Sequence, residues 1–553
     1  MVAATAFAVA CTSAPPSIAY GRADCDFCRM RIDDPRFGGE IITNHGKALQ
    51  FDAVECLASY YNALPEPTTA GSLLVADFEH PGELIPVNHA RFIQKTGPGT
   101  SSPMGRGMLA VTSRADVAQL LQRLGGGTEL SWSEVLASVK RGTTAEPATS
   151  SVQPASGSSD RPHVIDVSPD GPVRTIRDAL RVVDRGGTIV VHPGTYREPT
   201  IIVAIPVTIT GQGWPVLDGE HQRQIMTIAA DSVTVRGLHF RNVGIAFTED
   251  LAAIKVLRSS ACTIAANKID DAFFGIYLQQ VHGCLIDHNV LRSTNPRDAT
   301  SGNGIHLWNS RDVTIVGNSI TGHRDGIYFE FVRQAHVREN LSVGNLRYGL
   351  HFMYSDSCDY ASNDFRRNGA GVAVMYSHFV RMTGNRFEDN SGAAAYGLLL
   401  KEIADAHLER NVFSHNATGL FADGATRLIA DHNDFLNNGW AVKLQASTED
   451  ATFSANNFAG NTFDLATNSL TNTAIFKGNY WSAYEGYDIN HDGVGDVAFR
   501  PVRLSSVIVA KNEPALILLR SIFMTLMDAA ERVLPSLTPD GLTDSVPAMR
   551  WIK

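Results

Sequence analysis

Ten asparagines, Asn267, Asn289, Asn318, Asn340, Asn363, Asn385, Asn411, Asn433, Asn456 and Asn479, punctuate the second half of this 553-residue chain, and seven of the nine gaps between them are 22 or 23 residues. A fixed period of this length marks a solenoid, because each unit alone cannot bury its apolar face and must stack on its neighbours. Each asparagine sits between short apolar alternations, as in VTIVGNSI and LIADHNDF, so each period reads as short strands joined by turns. Stacked strands lie about 4.8 Å apart, which aligns equivalent asparagines into a hydrogen-bonded ladder. The expected fold is a right-handed parallel β-helix.

A second marker fixes the register. Gly275, Gly304, Gly326, Gly349, Gly371, Gly397 and Gly419 each lie 14 residues before a ladder asparagine. Length variation therefore falls between an asparagine and the next glycine, as in RSTNPRDATSG (292–302) and DNSGAAAYG. Insertions confined to one edge point to one working edge.

The residues after each marker glycine alternate between the interior and the outside. Ile305, Leu307, Ile327, Phe329, Leu350, Phe352, Val372 and Val374 are expected inside; His306, Trp308, Tyr328, Glu330, His351, Met353, Ala373, Met375, Leu399, Lys401, Phe421 and Asp423 outside. Met353 and Met375 then become neighbours one coil apart, with His351 beside Met353 on the same exposed face. Two thioethers and an imidazole suit Cu(I), and a methionine-rich surface equally suits an adaptable protein contact.

The chain divides into 1–19, 20–141, a Ser/Pro/Gly-rich linker at 142–162, the β-helix at 163–500, and a tail at 501–553. Within 20–141, strand-like runs (GEIITN, KALQF, SLLVADF, GMLAVT) alternate with helical ones (AVECLASYYNAL, RADVAQLLQRLG, SWSEVLASVK), which predicts a small α+β domain. VRTIRDALRVV is expected to form an amphipathic helix closing the first coil. EPALILLRSIFMTLMDAAERVLPSL is too interrupted by charge to span a membrane and reads as an amphipathic docking helix. The overall expectation is a multidomain chain: α+β domain, pectin-lyase-like β-helix, C-terminal amphipathic helix.

A net charge of −10 offers no basic field for nucleic acid. The start MVAATAFAVACTSAPPS resembles the end of a lipoprotein signal with Cys11 as the lipidated residue. Cys262, Cys284 and Cys358 each precede a ladder asparagine by five residues, where other coils carry Val313, Ala335, Val380, Ala406 and Leu428. They are expected to be core thiols, although Cys262 and Cys284 fall on adjacent coils within bridging distance.

In CDFCRM, Cys25 and Cys28 form a CxxC pair with Met30 two residues on. Thiolate plus thioether selects Cu(I), while a structural or redox pair stays open; zinc is disfavoured because no second ligand pair follows. In DINHDGVGD, Asp488, Asn490, Asp492 and Asp496 take EF-hand-like spacing, but Phe499 occupies the twelfth position, so Ca²⁺ competes with an Asx-stabilised turn.

CDFCRMRIDDPRFGGEIIT, FDAVEC (51–56) and SPMGRGMLAV (102–111) resemble the NosL family of copper-binding accessory lipoproteins over 22–141. The resemblance implies Cu(I) held outside the cytoplasmic membrane by Cys28 and Met30, with Cys25 less uniformly shared. It places Met104 in the PMG motif and leaves Cys56 between a structural and a ligand role. GIHLWNS, GLHFMYSD, GVAVMYS, YGLLLKEI and GNYWSAYEGYDINHDGVGD resemble the NosD family over about 163–535. That family is a periplasmic β-helix partner of an ABC transporter permease/ATPase pair (NosY/NosF type) in assembling the copper centres of nitrous oxide reductase. Together these imply a natural fusion in which Cys28 and Met30 capture Cu(I) and His351, Met353 and Met375 receive it for apo nitrous oxide reductase. The tail after 512 would dock on the permease. No GxxxxGK[ST] motif occurs, so ATP hydrolysis falls to a partner.

Two other classes stay open. A carbohydrate-active β-helix enzyme needs two carboxyls roughly 5 to 9.5 Å apart, yet Glu330 and Asp423, the outward-stripe carboxylates, are four coils or about 19 Å apart. A scaffold without metal would tolerate loss of Met353 and Met375.

Overall fold

The computed structural model describes most of residues 18–141, residues 161–530 apart from short stretches, and 542–553. Cys11, Cys28, Met30, Met104 and linker residues 142–160 lie outside the described residues. Two compact units result, divided at Ser156/Gly157.

In the first unit, an antiparallel sheet runs in the order Ala48–Phe51, Gly39–Thr43, Ala70–Ala76, Leu84–Pro86, and a second in the order Met108–Thr112, Ala90–Gln94, Thr128–Leu130. Helices Val54–Ala63, Val117–Leu124 and Trp132–Arg141 complete the expected α+β domain. The alternation in GEIIT sends Ile41 into the core, which also takes Phe37, Phe51, Phe92 and Ile93.

The second unit is a right-handed β-helix built from three parallel sheets of 13, 12 and 14 strands. The residues that alternation places inward, Ile305, Leu307, Ile327, Phe329, Leu350, Phe352, Val372 and Val374, are all fully buried. Each ladder asparagine donates its Nδ2 to Oδ1 of the next, from Asn267 to Asn289 at 3.0 Å through Asn456 to Asn479 at 3.0 Å. The same Oδ1 accepts a backbone N–H, as Asn289 Oδ1 does from Asn267, and Nδ2 reaches a carbonyl of the preceding coil. Every buried polar atom of a rung thus has a partner. Marker glycines are needed because a Cβ on Gly326 would sit 2.6 Å from the Gly349 carbonyl and 2.1 Å from Ser342 Oγ.

A second asparagine ladder, unanticipated from sequence, joins Asn345, Asn368, Asn390, Asn416, Asn438 and Asn461. Phe365, Phe387, Phe413, Phe435, Phe458 and Trp481 stack beside it with ring centroids 4.1 to 5.7 Å apart.

Both ends are closed. Helix Ile176–Val182 covers the first coil, its start fixed by Thr175 Oγ1 accepting from Asp178 N and by buried Glu198 accepting from Ile176 N. At the other end, helix Leu504–Lys511 packs Val509 against Phe463. Past it, residues 513–518 form a 3₁₀ turn and Ile517, Ile522 and Leu526 are exposed. The chain then returns, and Asp544 and Ala548 bridge to Phe476 and Tyr480 of the last coil.

One expectation is corrected: Cys262 and Cys284 form a disulfide instead of remaining separate core thiols. Thr263 and Leu285 are register partners, which stacks the preceding cysteines with Cα atoms 4.6 Å apart, inside bridging range. Cys358 stays a buried thiol, and burial pushes it up to about 11.

Candidate metal centres

In the α+β domain, Cys25, Asp52 and Cys56 bring two sulfurs and a carboxylate oxygen within 4.8 Å of one another, all buried. Three pieces of chain converge to do this. Asp26 exchanges two 2.7 Å hydrogen bonds with the Gln50 backbone, which ties the Cys25 turn to the strand Ala48–Phe51. Asp52 leaves the end of that strand, and Cys56 sits in the first turn of helix Val54–Ala63. The neighbouring Glu55 accepts from Met108 N at 3.3 Å, pinning the helix start to the second sheet. Sequence spacing pairs Cys25 with Cys28 but gives no signal for Asp52, which meets Cys25 only through the fold.

The β-helix carries the second cluster on the sheet that contains Ile305–Trp308, Asp325–Glu330, Tyr348–Met353, Ala370–Met375 and Tyr396–Lys401. Register places Glu330, Met353, Met375 and Lys401 in one outward column and His306, Tyr328, His351 and Ala373 in the next. Met353 and Met375 are therefore neighbours as expected, both half-buried. His351 lies two residues before Met353 on the same face. Ala373, its partner on the next strand, places only a methyl group beside the imidazole.

The exposed face expected for His351 is corrected. Its side chain is only 9% exposed, packed against the Tyr328 and Tyr348 rings, with both ring nitrogens lacking a hydrogen-bond partner among the described residues. Large aromatic neighbours, Tyr328 in the adjacent coil and Tyr348 on the same strand, shelter an outward position that alternation alone marks as open. The same shelter acts along the stripe. Burial, with Arg324 and Lys255 nearby, lowers His306 to about 3, so it is a neutral imidazole, and burial raises Glu330 above the usual carboxylate range.

The insertion 292–302 ends beside the His306 end of this stripe. Its end brings Asn303 Nδ2 within 3.0 Å of His306 Nδ1, and Gly302 O accepts from Arg324 N. Glu330 and Asp423 remain four register steps apart, about 19 Å at strand spacing. In the loop 488–496 the side-chain oxygens turn onto the loop's own N–H groups: Asp488 accepts from Gly493 at 2.9 Å, Asp492 from Val494 at 2.8 Å and Asp496 from Ile489 at 2.6 Å.

The NosL family model matches residues 18–139, and the NosD family model, described as a periplasmic copper-binding protein, matches 292–486. A probable ABC transporter binding protein NosD of Pseudomonas aeruginosa is 29% identical over 368 residues, 63% of this chain and 85% of the relative. Its counterpart in Stutzerimonas stutzeri is 26% identical, covering 62% of this chain and 83% of the relative. Among solved structures, the chain is similar to Dettilon tailspike protein (TM-score 0.45, 13% identity, 56% of this chain and 69% of that chain). It is also similar to a family 28 exopolygalacturonase of Yersinia enterocolitica (TM-score 0.42, 12% identity, 58% of this chain and 78% of that chain). No described helix is long and apolar enough to cross a membrane.

Proposed function

We infer that this chain, a fusion of a NosL domain with a NosD β-helix, is a periplasmic copper-binding protein that assists maturation of nitrous oxide reductase by passing Cu(I) from its first domain to its second. The observation that carries the reading is the His351, Met353 and Met375 grouping: a buried imidazole with unsatisfied nitrogens beside two register-paired thioethers. This is a neutral, soft donor set suited to Cu(I).

Capture falls to Cys28 and Met30, and Cys25 with Cys56 and Asp52 offers a second sulfur pair in the same domain. One chain carries both donor and acceptor, so handoff is intramolecular. Delivery goes to apo nitrous oxide reductase, with an ABC transporter of the NosY/NosF type as the energy-supplying partner. The exposed Ile517, Ile522 and Leu526 supply apolar surface for docking on its permease. Cys11 would anchor the chain by a lipid. The oxygens of the loop 488–496 accept backbone hydrogen bonds, which supports an Asx-stabilised turn there. The names of the relatives and the separation of Glu330 and Asp423 support an accessory role over sugar cleavage.

The test is anaerobic Cu(I) titration of the full chain against a competing chelator. Wild type binds at the capture site and at the β-helix seat; Met353→Leu/Met375→Leu loses the second equivalent and leaves the first. Unchanged stoichiometry in the double variant would leave the β-helix as a scaffold.

A further inference from the structure

Asp325 opens the strand Asp325–Glu330 and is fully buried, yet neither carboxylate oxygen has a hydrogen-bond partner among the described residues. Around it stand His351 Nδ1 at 3.7 Å, Arg347 Nε at 3.9 Å and Arg324 Nε at 4.0 Å. A buried carboxylate without hydrogen bonds is costly, and such groups persist in native proteins mainly where they serve a site.

We propose that Asp325 is a positioning residue for copper: its carboxylate accepts the Nδ1–H of His351, fixing the tautomer that presents Nε2 as the metal-binding lone pair. The inference rests on the reading of His351, Met353 and Met375 as a Cu(I) seat. Imidazoles that ligate metals through one nitrogen commonly donate the other N–H to a carboxylate, which sets ring orientation and raises basicity. The 3.7 Å separation is longer than a hydrogen bond, and contacts of this kind tighten when the functional complex forms.

The surroundings favour this pairing over a plain ion pair. Arg324 and Arg347 flank Asp325 at 3.9–4.0 Å, so neither guanidinium makes the forked contact that Arg–carboxylate pairs adopt when they exist for stability. Tyr328 on the same strand as Asp325, and Tyr348 on that of His351, bracket the imidazole with ring centroids 5.1 and 4.8 Å away. They restrict its rotation without supplying a hydrogen bond to either nitrogen. Glu330, at the far end of the Asp325 strand, pairs in register with Met353 rather than with His351. Asp325 is the carboxylate within reach of the imidazole, and two otherwise unsatisfied buried groups satisfy each other once the ring carries its proton on Nδ1.

The experiment uses the full chain in a Cys25→Ser/Cys28→Ser/Met30→Leu background, so that bound Cu(I) reports the β-helix seat. X-ray absorption reads the copper ligands and chelator competition reads affinity. Wild-type Asp325 gives sulfur scattering together with imidazole scattering. Asp325→Asn lowers affinity about tenfold or more and loses the imidazole signal while keeping sulfur, as His351→Ala does. Asp325→Glu, which keeps the carboxylate and guards against a folding artefact of the amide, restores both. Retention of imidazole scattering and affinity in Asp325→Asn overturns the assignment of Asp325 and leaves the copper seat standing. Copper with no imidazole in the Asp325 protein overturns the seat and the assignment together.

Discussion

Asp544 takes the place of an eleventh ladder asparagine: its Oδ2 accepts from Asn479 Nδ2 at 3.0 Å and from Asn479 N at 2.9 Å. It also accepts from Gly478 N and from Trp481 Nε1. A solenoid ends in open hydrogen-bonding groups, and here a residue 65 positions downstream closes them. Asp544→Ala leaves five donors, Val546 N among them, without this acceptor and should fray the last coil first. Hydrogen exchange should show lost protection across 475–481 while inner coils such as 363–387 keep theirs.

The interior of the ladder is less forgiving. Asn363 Oδ1 accepts from Asn340 N and Nδ2, and its Nδ2 donates to Asn385 Oδ1 and Val337 O. Asn363→Ala removes these four hydrogen bonds and strands the Asn340 N–H, while Asn340 Nδ2 keeps Ile315 O and Arg338 O and Asn385 Oδ1 keeps the Asn363 N–H. A loss of about 1–3 kcal/mol in urea unfolding is expected. Asn363→Asp, which turns a buried carboxylate oxygen toward the acceptors Asn385 Oδ1 and Val337 O, should lose more.

Much of this ladder was legible, because burial of an amide in every coil demands the same residue at every period. The second ladder was equally visible: Asn345, Asn368, Asn390, Asn416, Asn438 and Asn461 each follow a first-ladder asparagine by five residues. So was the aromatic stack, since Phe365 and its equivalents follow by two. What periodicity does not carry is who shelters an outward side chain. His351 alternates outward as expected, but its burial comes from Tyr328 and Tyr348, neighbours in stacking and in strand geometry. Asp325 and the pairing of Asp52 with Cys25 escaped for the same reason. Asp52 and Cys56 share the FDAVEC motif, but Cys25 reaches them, and Asp325 reaches His351, only through strands or turns brought together by the fold.

Glu330 gives a pH signature. Burial raises its folded-state value above that of the unfolded chain, so the folded state resists releasing this proton. With both states protonated below the unfolded value of about 4.3, the residue is neutral to stability. As pH rises through that value the unfolded state ionises first, and Glu330 increasingly favours unfolding until the folded carboxyl also ionises. Glu330→Gln should therefore raise the melting midpoint at pH 7 and leave it unchanged below about pH 4. A gain of equal size at both pH values would show that packing, not ionisation, is responsible.

The Cys262–Cys284 bridge closes a loop of 22 residues between adjacent coils. In the chain-entropy account a loop of this size contributes about 3 kcal/mol by restricting the unfolded ensemble. The native geometry needs no bridge to bring the two cysteines together, because Thr263 pairs with Leu285 and Ile264 with Ile286 on the strands that follow. Reduction should thus lower the urea midpoint while leaving the native circular dichroism intact. Cys262→Ala/Cys284→Ala should unfold at the reduced protein's midpoint and lose all response to reductant. Alkylation of the unreduced protein in denaturant, read by mass spectrometry, checks the bridge directly: Cys262 and Cys284 stay unmodified while Cys358 is labelled. Labelling of all three would restore the reading of a core packed with thiols.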